Sequence, residues 1–429
     1  MKNFRSVLSI LLVLFLVFAF SNFALAQKDE GKTEITIAAG SVGIELELTK
    51  KAARMFEEEH PNVKVDFYTT PDLSDDRKGL YLPYLEAESP EIDVFQVDVI
   101  WSGELGKHFL DLNEYGAQEV ADKHFESIIQ NNTVDGRLVA MPWFTDAGLL
   151  YYRTDLLEKY GYDGPPETWT ELEEMAKKIQ AGEREENSDF WGYVWQGNAY
   201  EGLTCNALEW IHSNNGGRIV NEDQEITVNN ENAIEMVEMA GDWVGEISPT
   251  GVTGMVEESS RKMFVAGNAA FMRNWPYVYA LASQEGKATA GKFDVAPLPA
   301  GENGSSSAVL GGWNLAVNKY TEYPELAAEL AMFMTGEKVQ KMRAVEGSFN
   351  PTIAELYEDE DVLEANPFFG DLYQVFTNTV SRPSAETGGD YSAVSERFFQ
   401  AVHSVLSGES TAEEELAYLE LSIEEILNQ

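Results

Sequence analysis

The sequence has 429 residues, of which 44% are hydrophobic and 11% aromatic, so it can form large, well-packed interiors. It contains 73 aspartates and glutamates against 30 lysines and arginines, which gives a net charge of −43 at pH 7. Such a surface repels nucleic acid and anionic lipid head groups, so neither is expected as a partner. An acidic excess of this size favours adaptation to high salt, with an ordinary acidic secreted protein as the alternative.

The first 26 residues have the pattern of a signal peptide. Lys2 and Arg5 form a basic start, the stretch 7–20 is almost continuously apolar, and 24–26 has the small residues of a cleavage site. Because the apolar stretch is shorter than the roughly 20 residues of a membrane span, we expect cleavage at about Ala26. The single cysteine, Cys205, lies far from that site, which argues against a lipoprotein and against an intrachain disulfide. The protein is therefore predicted to be periplasmic or secreted, and free in solution rather than membrane-inserted.

The part of the chain after the signal peptide opens with alternating strand and helix patterns. Thr33–Ala39 alternates like a strand, and a helical pattern runs from Glu45 to about Glu59. Residues 63–68 and 92–97 are the next predicted strands, with a helical segment between them. This rhythm is typical of a doubly wound sheet with parallel strands, so the predicted fold class is α/β. Roughly 400 residues are too many for one compact core, which predicts two lobes.

Charged and aromatic residues follow these three predicted strands at equivalent points. Glu45 follows the first strand, Asp72 and Arg77 follow the second, and the segment 98–101 with Asp98 follows the third. Ligands of doubly wound sheets bind beyond the carboxyl ends of the strands. The sequence therefore predicts a binding site at this edge.

A second αβ region begins near residues 141–142. Leu149–Tyr152 is strand-like, and Thr168 is the expected N-cap of the helix that follows it. Helical patterns then cover roughly 204–213, 231–246 and 257–266, an extended passage covers 293–299, and a Gly/Ser-rich surface loop covers 301–307. Residues 315–317 are predicted to return as a strand to the first sheet.

Aromatic residues cluster beside glycines and polar residues at 191–197, 274–279 and 311–314. Sugars need this mixture, because their C–H faces stack on aromatic rings while their hydroxyls take charge-assisted hydrogen bonds from carboxylates and guanidinium groups. Trp275 and Trp313 lie in turns flanked by proline or glycine, which favours contact with a ligand. Trp169 and Trp243 lie in helical patterns and are expected in the core.

The sequence contains no GxSxG, HExxH or GxxxxGK[ST] motif, and its five histidines are scattered. We therefore expect no catalytic residue, no metal and no cofactor. One enzyme hypothesis stays open, in which Asp98 and Asp146 are the acid and base of a glycoside hydrolase. Acidic side chains at a sugar site serve equally well as hydrogen-bond acceptors, so binding is favoured over hydrolysis.

Several runs along the chain resemble those of a known family. They are 146–153 (DAGLLYYR), 155–162, 165–169 (PPETW), 190–197, 200–203, 267–271, 273–277 (RNWPY), 295–299 and 310–313. The resemblance is to the extracellular solute-binding proteins, family 1, of ABC sugar importers, and within them to the trehalose/maltose-binding branch. It implies a periplasmic-binding-protein-like type II fold, in which two doubly wound αβ lobes are joined by hinge crossings near 140–146, 298–310 and 345–351.

The resemblance also implies a ligand, a disaccharide of the trehalose, maltose or sucrose type, and the residues that contact it. Hydrogen bonds to its hydroxyls would come from Glu45, Arg77, Asp98, Asp146 and Arg382. Stacking would come from Trp275, Tyr277 and Trp313, and backbone groups from Gly311 and Gly312. The relatives carry a tyrosine where Phe144 stands, and the family threonine near Asp72 has no unambiguous match. These two departures leave the exact sugar open.

The implied lobes divide the chain into five parts. The expected bounds are 1–26 for the signal peptide, 27–142 for the first part of the N-terminal lobe, 143–300 for the first part of the C-terminal lobe, 301–346 for a return to the N-terminal lobe and 347–429 mainly for the C-terminal lobe. A monomer would close on the sugar and dock on the membrane permease of the importer. A receptor of the same fold for a non-sugar osmolyte, or one that only signals to chemotaxis or a kinase, remains an alternative.

Overall fold

The computed structural model describes residues 31–377 and 379–428. The predicted signal peptide lies outside the described residues. Within the described ranges, no helix combines the length and the apolar character that crossing a membrane requires.

The first part of the chain contains, in order, β1 (Thr33–Ala39), α1 (Glu45–Glu59), β2 (Val63–Thr69), α2 (Ser74–Glu86), β3 (Val94–Asp98), α3 (Ser102–Leu105), α4 (Gln118–Ala121), α5 (Glu126–Asn131), β4 (Thr133–Val134), β5 (Arg137–Leu138), β6 (Met141–Ala147), β7 (Leu149–Tyr152), α6 (Thr154–Tyr160), α7 (Trp169–Glu183), β8 (Trp191–Val194) and α8 (Glu201–Ser213). The second part contains α9 (Glu231–Trp243), α10 (Glu257–Val265), β9 (Ala269–Asn274), α11 (Val278–Ala282), β10 (Asp294–Ala296), β11 (Leu310–Val317), α12 (Pro324–Thr335), α13 (Glu337–Gly347), α14 (Glu360–Ala365), α15 (Phe368–Asp371), α16 (Tyr373–Thr377), α17 (Ser384–Thr387), α18 (Tyr391–Leu406) and α19 (Ala412–Leu427). Short 3-10 turns lie at Gly106–His108, Leu112–Tyr115, Thr250–Gly254, Ala354–Tyr357 and Gly388–Asp390.

The first sheet has the strand order β2-β1-β3-β11-β6. β1 pairs in parallel with β2 and with β3, as the alternation of strand and helix predicts. The predicted return strand also lies in this sheet, but β11 runs antiparallel to both of its neighbours, β3 and β6. The sheet is mixed because β11 enters from the second sheet through a loop, whereas parallel neighbours need a crossover connection.

The second sheet has the strand order β10-β7-β9-β8. β7 is antiparallel to β9 and to β10, and β8 is parallel to β9. Gly148 alone separates β6 of the first sheet from β7 of the second. A Cβ at Gly148 would lie 2.1 Å from an oxygen of Glu209 and 2.7 Å from a nitrogen of Arg273, so a side chain cannot be accommodated where the chain changes sheets.

The predicted core tryptophans and helix cap are confirmed. Trp169 and Trp243 are each 1% exposed, and their ring centroids lie 5.6 Å apart. The Thr168 hydroxyl accepts the backbone N–H of Glu171, whose carboxylate accepts the backbone N–H of Thr168 in return. The α/β class is confirmed, while the lobe bounds stay a prediction.

Candidate functional site

A cavity is lined by residues from both sheets, and its volume is about 690 Å³ when the part open to solvent is included. All ten residues singled out from the sequence line it: Glu45, Arg77, Asp98, Asp146, Trp275, Tyr277, Gly311, Gly312, Trp313 and Arg382. The other lining residues are Val42, Asp72, Ser74, Phe144, Tyr200, Glu201, Gly202, Cys205, Glu257 and Phe349. Residues far apart in the sequence therefore line one cavity.

The register of β11 brings several of these residues together. Trp313 pairs with Asp98 on β3, and Gly311 pairs with Asp146 on β6. Gly312 has a φ of +121°, and a Cβ there would lie 2.5 Å from the carbonyl oxygen of Phe144. Glycine is required at this point because β11 approaches β6 too closely, and with positive φ, for any side chain.

Arg382 connects two carboxylates on opposite sides of the cavity. Its Nη1 donates to Glu201 Oε1 at 2.8 Å, and its Nη2 donates to Asp98 Oδ1 at 3.0 Å and to the carbonyl of Leu310 at 3.3 Å. Asp98 ends β3 in the first sheet, whereas Glu201 begins α8 on the side of the second sheet. The Arg382 side chain is 3% exposed, so these hydrogen bonds between the two sides are almost completely shielded from solvent.

Glu45 and Arg77 form a second polar group on the side of the first sheet. Gln96 donates its Nε2 to Glu45 Oε1 at 2.7 Å, and its own Oε1 accepts the backbone N–H of Gly40. Arg77 is fully buried, and its Cζ lies 4.0 Å from the centre of a Trp313 ring. Its Nη1 has no hydrogen-bond partner among the described residues, which leaves a donor for a ligand.

The aromatic rings on the opposite wall are fixed from behind. Arg273 Cζ lies 3.8 Å from the centre of a Trp275 ring, and Arg273 forms a fully buried two-pronged ion pair with Glu209 at 2.6 and 2.8 Å. The Tyr277 hydroxyl donates to Glu258 Oε1 at 2.9 Å. Trp275 Nε1 also donates to Glu257 Oε1 at 3.4 Å, so both rings are held by polar partners of the second sheet and its helices.

Asp146 is the lining carboxylate with the strongest electrostatic perturbation. Burial raises its pKa well above the ordinary value, and the negative charges of Glu45 and Asp98 raise it further. The positive charges of Arg273 and Arg343 act in the opposite direction. Burial also raises the pKa values of Glu201 and Glu257. The cavity therefore concentrates buried carboxyl groups whose charged form is disfavoured by burial.

Sequence reasoning missed several lining residues and placed one cluster wrongly. Glu201 and Glu257 lie in the first turns of α8 and α10, so an acidic helix start was their only local signal. Phe349 lies outside the helices and strands, and no sequence motif marked it as a candidate site residue. In the aromatic cluster 191–197, Trp195 is fully buried and donates its Nε1 to Ser248, and neither tryptophan of the cluster lines the cavity.

The described residues contain no group of three or more histidine, cysteine or acidic side chains arranged to hold a metal. His108 is paired through Nδ1 with the hydroxyl of Tyr320 at 3.0 Å, and His124 with that of Thr352 at 2.7 Å. These imidazoles have structural partners in the interior.

Two mixed sheets flanked by helices, with the chain passing directly between them and a deep cavity lined from both, define a type II periplasmic-binding-protein-like fold. The chain belongs to the bacterial extracellular solute-binding proteins, whose family model matches residues 41–341. It is thus a binding protein and not an enzyme, so the glycoside hydrolase hypothesis for Asp98 and Asp146 is wrong.

Relatives and solved structures agree with this membership. A probable ABC transporter-binding protein of Deinococcus radiodurans is 49% identical over 420 residues, which cover 98% of this chain and 97% of that one. MalE3 of T. maritima, solved with maltose bound, is 39% identical with a TM-score of 0.87, covering 92% of this chain and 99% of that one. The maltodextrin-binding protein MdxE of Bacillus subtilis is 27% identical over 56% of this chain and 55% of its own length.

Proposed function

We propose that this protein binds a disaccharide of the trehalose, maltose or sucrose type in the cavity and delivers it to the permease of an ABC importer. The observation that carries the proposal is the meeting of two partly buried tryptophans, Trp275 and Trp313, with buried carboxylates and arginines in one cavity. Sugar rings stack on the former and hydrogen-bond to the latter. The likeness to MalE3 with bound maltose supports the choice of ligand class.

In this proposal each side of the cavity contributes a different kind of contact. Glu45, Asp98 and Asp146 accept hydrogen bonds from hydroxyls, while Arg77 and Arg382 donate to oxygens. Trp275, Tyr277 and Trp313 stack on the pyranose faces, and the backbone of Gly311 and Gly312 lies against the sugar. Phe144 lines the same cavity at 5% exposure and offers no hydroxyl, so it covers an apolar part of the ligand.

Sugar that contacts both walls would favour the closed arrangement of the lobes over an open one, since only the closed form makes all the contacts. The crossings near 140–146, 298–310 and 345–351 are the proposed hinges. We further propose that the protein is a monomer and that the segment 1–26 is a signal peptide, which directs export and is cleaved at about Ala26 without lipid attachment. The mature protein would then be retained in the periplasm or secreted.

Isothermal titration of residues 27–429 in molar salt tests the ligand assignment. The panel consists of trehalose, maltose, sucrose, glucose and maltotriose, and chromatography afterwards checks that no sugar is cleaved. We expect micromolar or tighter binding of one disaccharide and weaker binding of glucose, which can fill only part of the surface. Absence of heat with every sugar would contradict the disaccharide proposal and direct the search to another solute.

Truncation of a stacking residue gives a second prediction. Trp313→Ala should weaken binding of the preferred sugar about 30-fold, because loss of a central aromatic contact costs about 2 kcal/mol. Trp191→Ala is a matched control, since Trp191 also packs on an arginine, Arg184 at 4.1 Å, but does not line the cavity. Equal sugar affinities of the Trp313→Ala and Trp191→Ala variants would show that Trp313 does not contact the sugar.

A further inference from the structure

Arg343 is a buried cation with few partners. It lies on α13, is 1% exposed, and forms no ion pair with a carboxylate of the described chain. Its Nη1 donates to the hydroxyl of Thr49 at 3.3 Å, while its Nε and Nη2 have no hydrogen-bond partner among the described residues. Burying a charge in this way is costly, so the arrangement requires a compensating interaction.

Aromatic rings provide the close packing around this guanidinium. Its Cζ lies 4.0 Å from the centre of a Trp143 ring, 4.4 Å from that of Phe349 and 5.0 Å from that of Phe144. Phe144 and Phe349 pack edge to face at 4.9 Å, and both line the ligand cavity. Arg343 itself is not a lining residue. It therefore supports an apolar wall of the cavity from behind.

The two supported rings belong to two passages of the chain that are far apart in sequence. Trp143 and Phe144 lie on β6, and Phe349 lies just after α13. The two passages are joined by the hydrogen bond from the Thr145 N–H to the Asn350 carbonyl at 3.0 Å. One guanidinium thus contacts both passages at the point where they meet.

The charge of Arg343 also acts on Asp146. The groups that influence this carboxylate are Glu45 on α1 and Asp98 on β3, which raise its pKa, and Arg273 on β9 and Arg343 on α13, which lower it. Arg273 is already bonded to Glu209. Burial lowers the pKa of Arg343 to about 10, with Glu45 and Asp146 opposing the change, so it stays protonated at neutral pH.

We propose that Arg343 is a positioning residue of the ligand site, which holds Phe144 and Phe349 in place and whose positive charge acts on Asp146, two residues after Phe144 on β6. Its role is exerted through these three side chains and not by contact with the ligand. The part of the inference that concerns affinity rests on the proposed sugar-binding function. The part that concerns Asp146 can be measured without any ligand.

The first experiment measures sugar affinity between pH 5 and 9 for the full mature chain. Arg343→Met should weaken binding at least about tenfold at pH 7.5, since it removes both the stacking and the charge. It should also move the pH midpoint of binding upward by about one unit, because Asp146 loses an opposite charge. Arg343→Lys keeps the charge, so its midpoint should stay near that of the wild type while affinity falls. Arg153→Met, which breaks a partly buried pair with Asp155 away from the cavity, should change neither quantity.

The second experiment is a double-mutant cycle on the melting temperature of the sugar-free protein. Arg343→Met should lower the melting temperature by about 2 °C more in the wild-type background than in the Asp146→Asn background, where no carboxylate needs compensation. Equal losses in the two backgrounds, or a wild-type pH midpoint in Arg343→Met, would overturn the inference. A third outcome separates the two proposals: Arg343 and Asp146 could be coupled in the cycle while the wild-type protein binds no sugar. That result would reject the proposed function but support the electrostatic interaction between Arg343 and Asp146. If Arg343→Met does not fold, Arg343→Gln, which also removes the charge, takes its place in both tests.

Discussion

Arg382→Met should reduce affinity for the preferred disaccharide at least about 100-fold. Arg382 donates to Glu201 and Asp98 and lines the cavity, so its removal takes away a ligand donor and the link between the two sides. Charge-assisted hydrogen bonds contribute about 1.5–3 kcal/mol each, and loss of two corresponds to a factor of this size. Titration calorimetry with the sugar identified for the wild type measures the change.

The same substitution should destabilise the sugar-free protein by about 3–5 kcal/mol, because it leaves Asp98 and Glu201 buried without their counter-ion. The control is Arg153→Met, which also breaks a two-pronged arginine–carboxylate pair but lies outside the cavity. It should lower stability and leave affinity unchanged. Wild-type affinity in Arg382→Met would show that the arginine has only a structural role.

Arg273→Met should destabilise the protein by about 3–5 kcal/mol in denaturant unfolding at pH 8. The pair of Arg273 with Glu209 is fully buried, and Glu209 also accepts the backbone N–H of Val309 at 3.1 Å just before β11. An uncompensated carboxylate would remain in the interior, next to the point where the chain returns to the first sheet. Loss of the guanidinium behind Trp275 should also weaken sugar binding.

The pH dependence of this variant separates charge from packing. Burial raises the pKa of Glu209, and removal of Arg273, whose charge lowers it, should raise that pKa further. A carboxyl with a folded pKa above its unfolded value favours folding when it is protonated, so the loss of stability should shrink as the pH falls from 8 to 5. Arg273→Met combined with Glu209→Met should recover much of the stability. A loss that is the same at both pH values would contradict the charge argument.

Local pattern was sufficient where each residue's environment depends on its neighbours in the chain. The alternation at 33–39, the amphipathic run at 45–59 and the cap at Thr168 predicted β1, α1 and the start of α7, and the structure confirms them. Burial of Trp169 and Trp243 followed from their helical spacing. The positions of Glu45, Arg77 and Asp98 at one edge followed from the shared direction of β1, β2 and β3.

Contacts between distant segments were beyond such patterns. The antiparallel direction of β11 depends on how the chain leaves the second sheet, and the register that sets Trp313 opposite Asp98 depends on that direction. Glu201 lines the cavity and is bonded to Arg382, which lies 181 positions away in the sequence. The aromatic cluster 191–197 carried the same local signal as 274–279, but its Trp195 is buried in the interior against Trp210.

The sequence by itself determined the α/β class, most of the regular elements and, through the family resemblance, ten of the residues that line the cavity. The tertiary structure alone decided which charges are compensated. Arg382, Arg273 and Arg343 are all buried arginines, but the first bridges two carboxylates, the second is paired with one, and the third faces aromatic rings. Composition cannot distinguish these cases, because the cost of burying a charge depends on which side chains the fold places within a few ångströms of it.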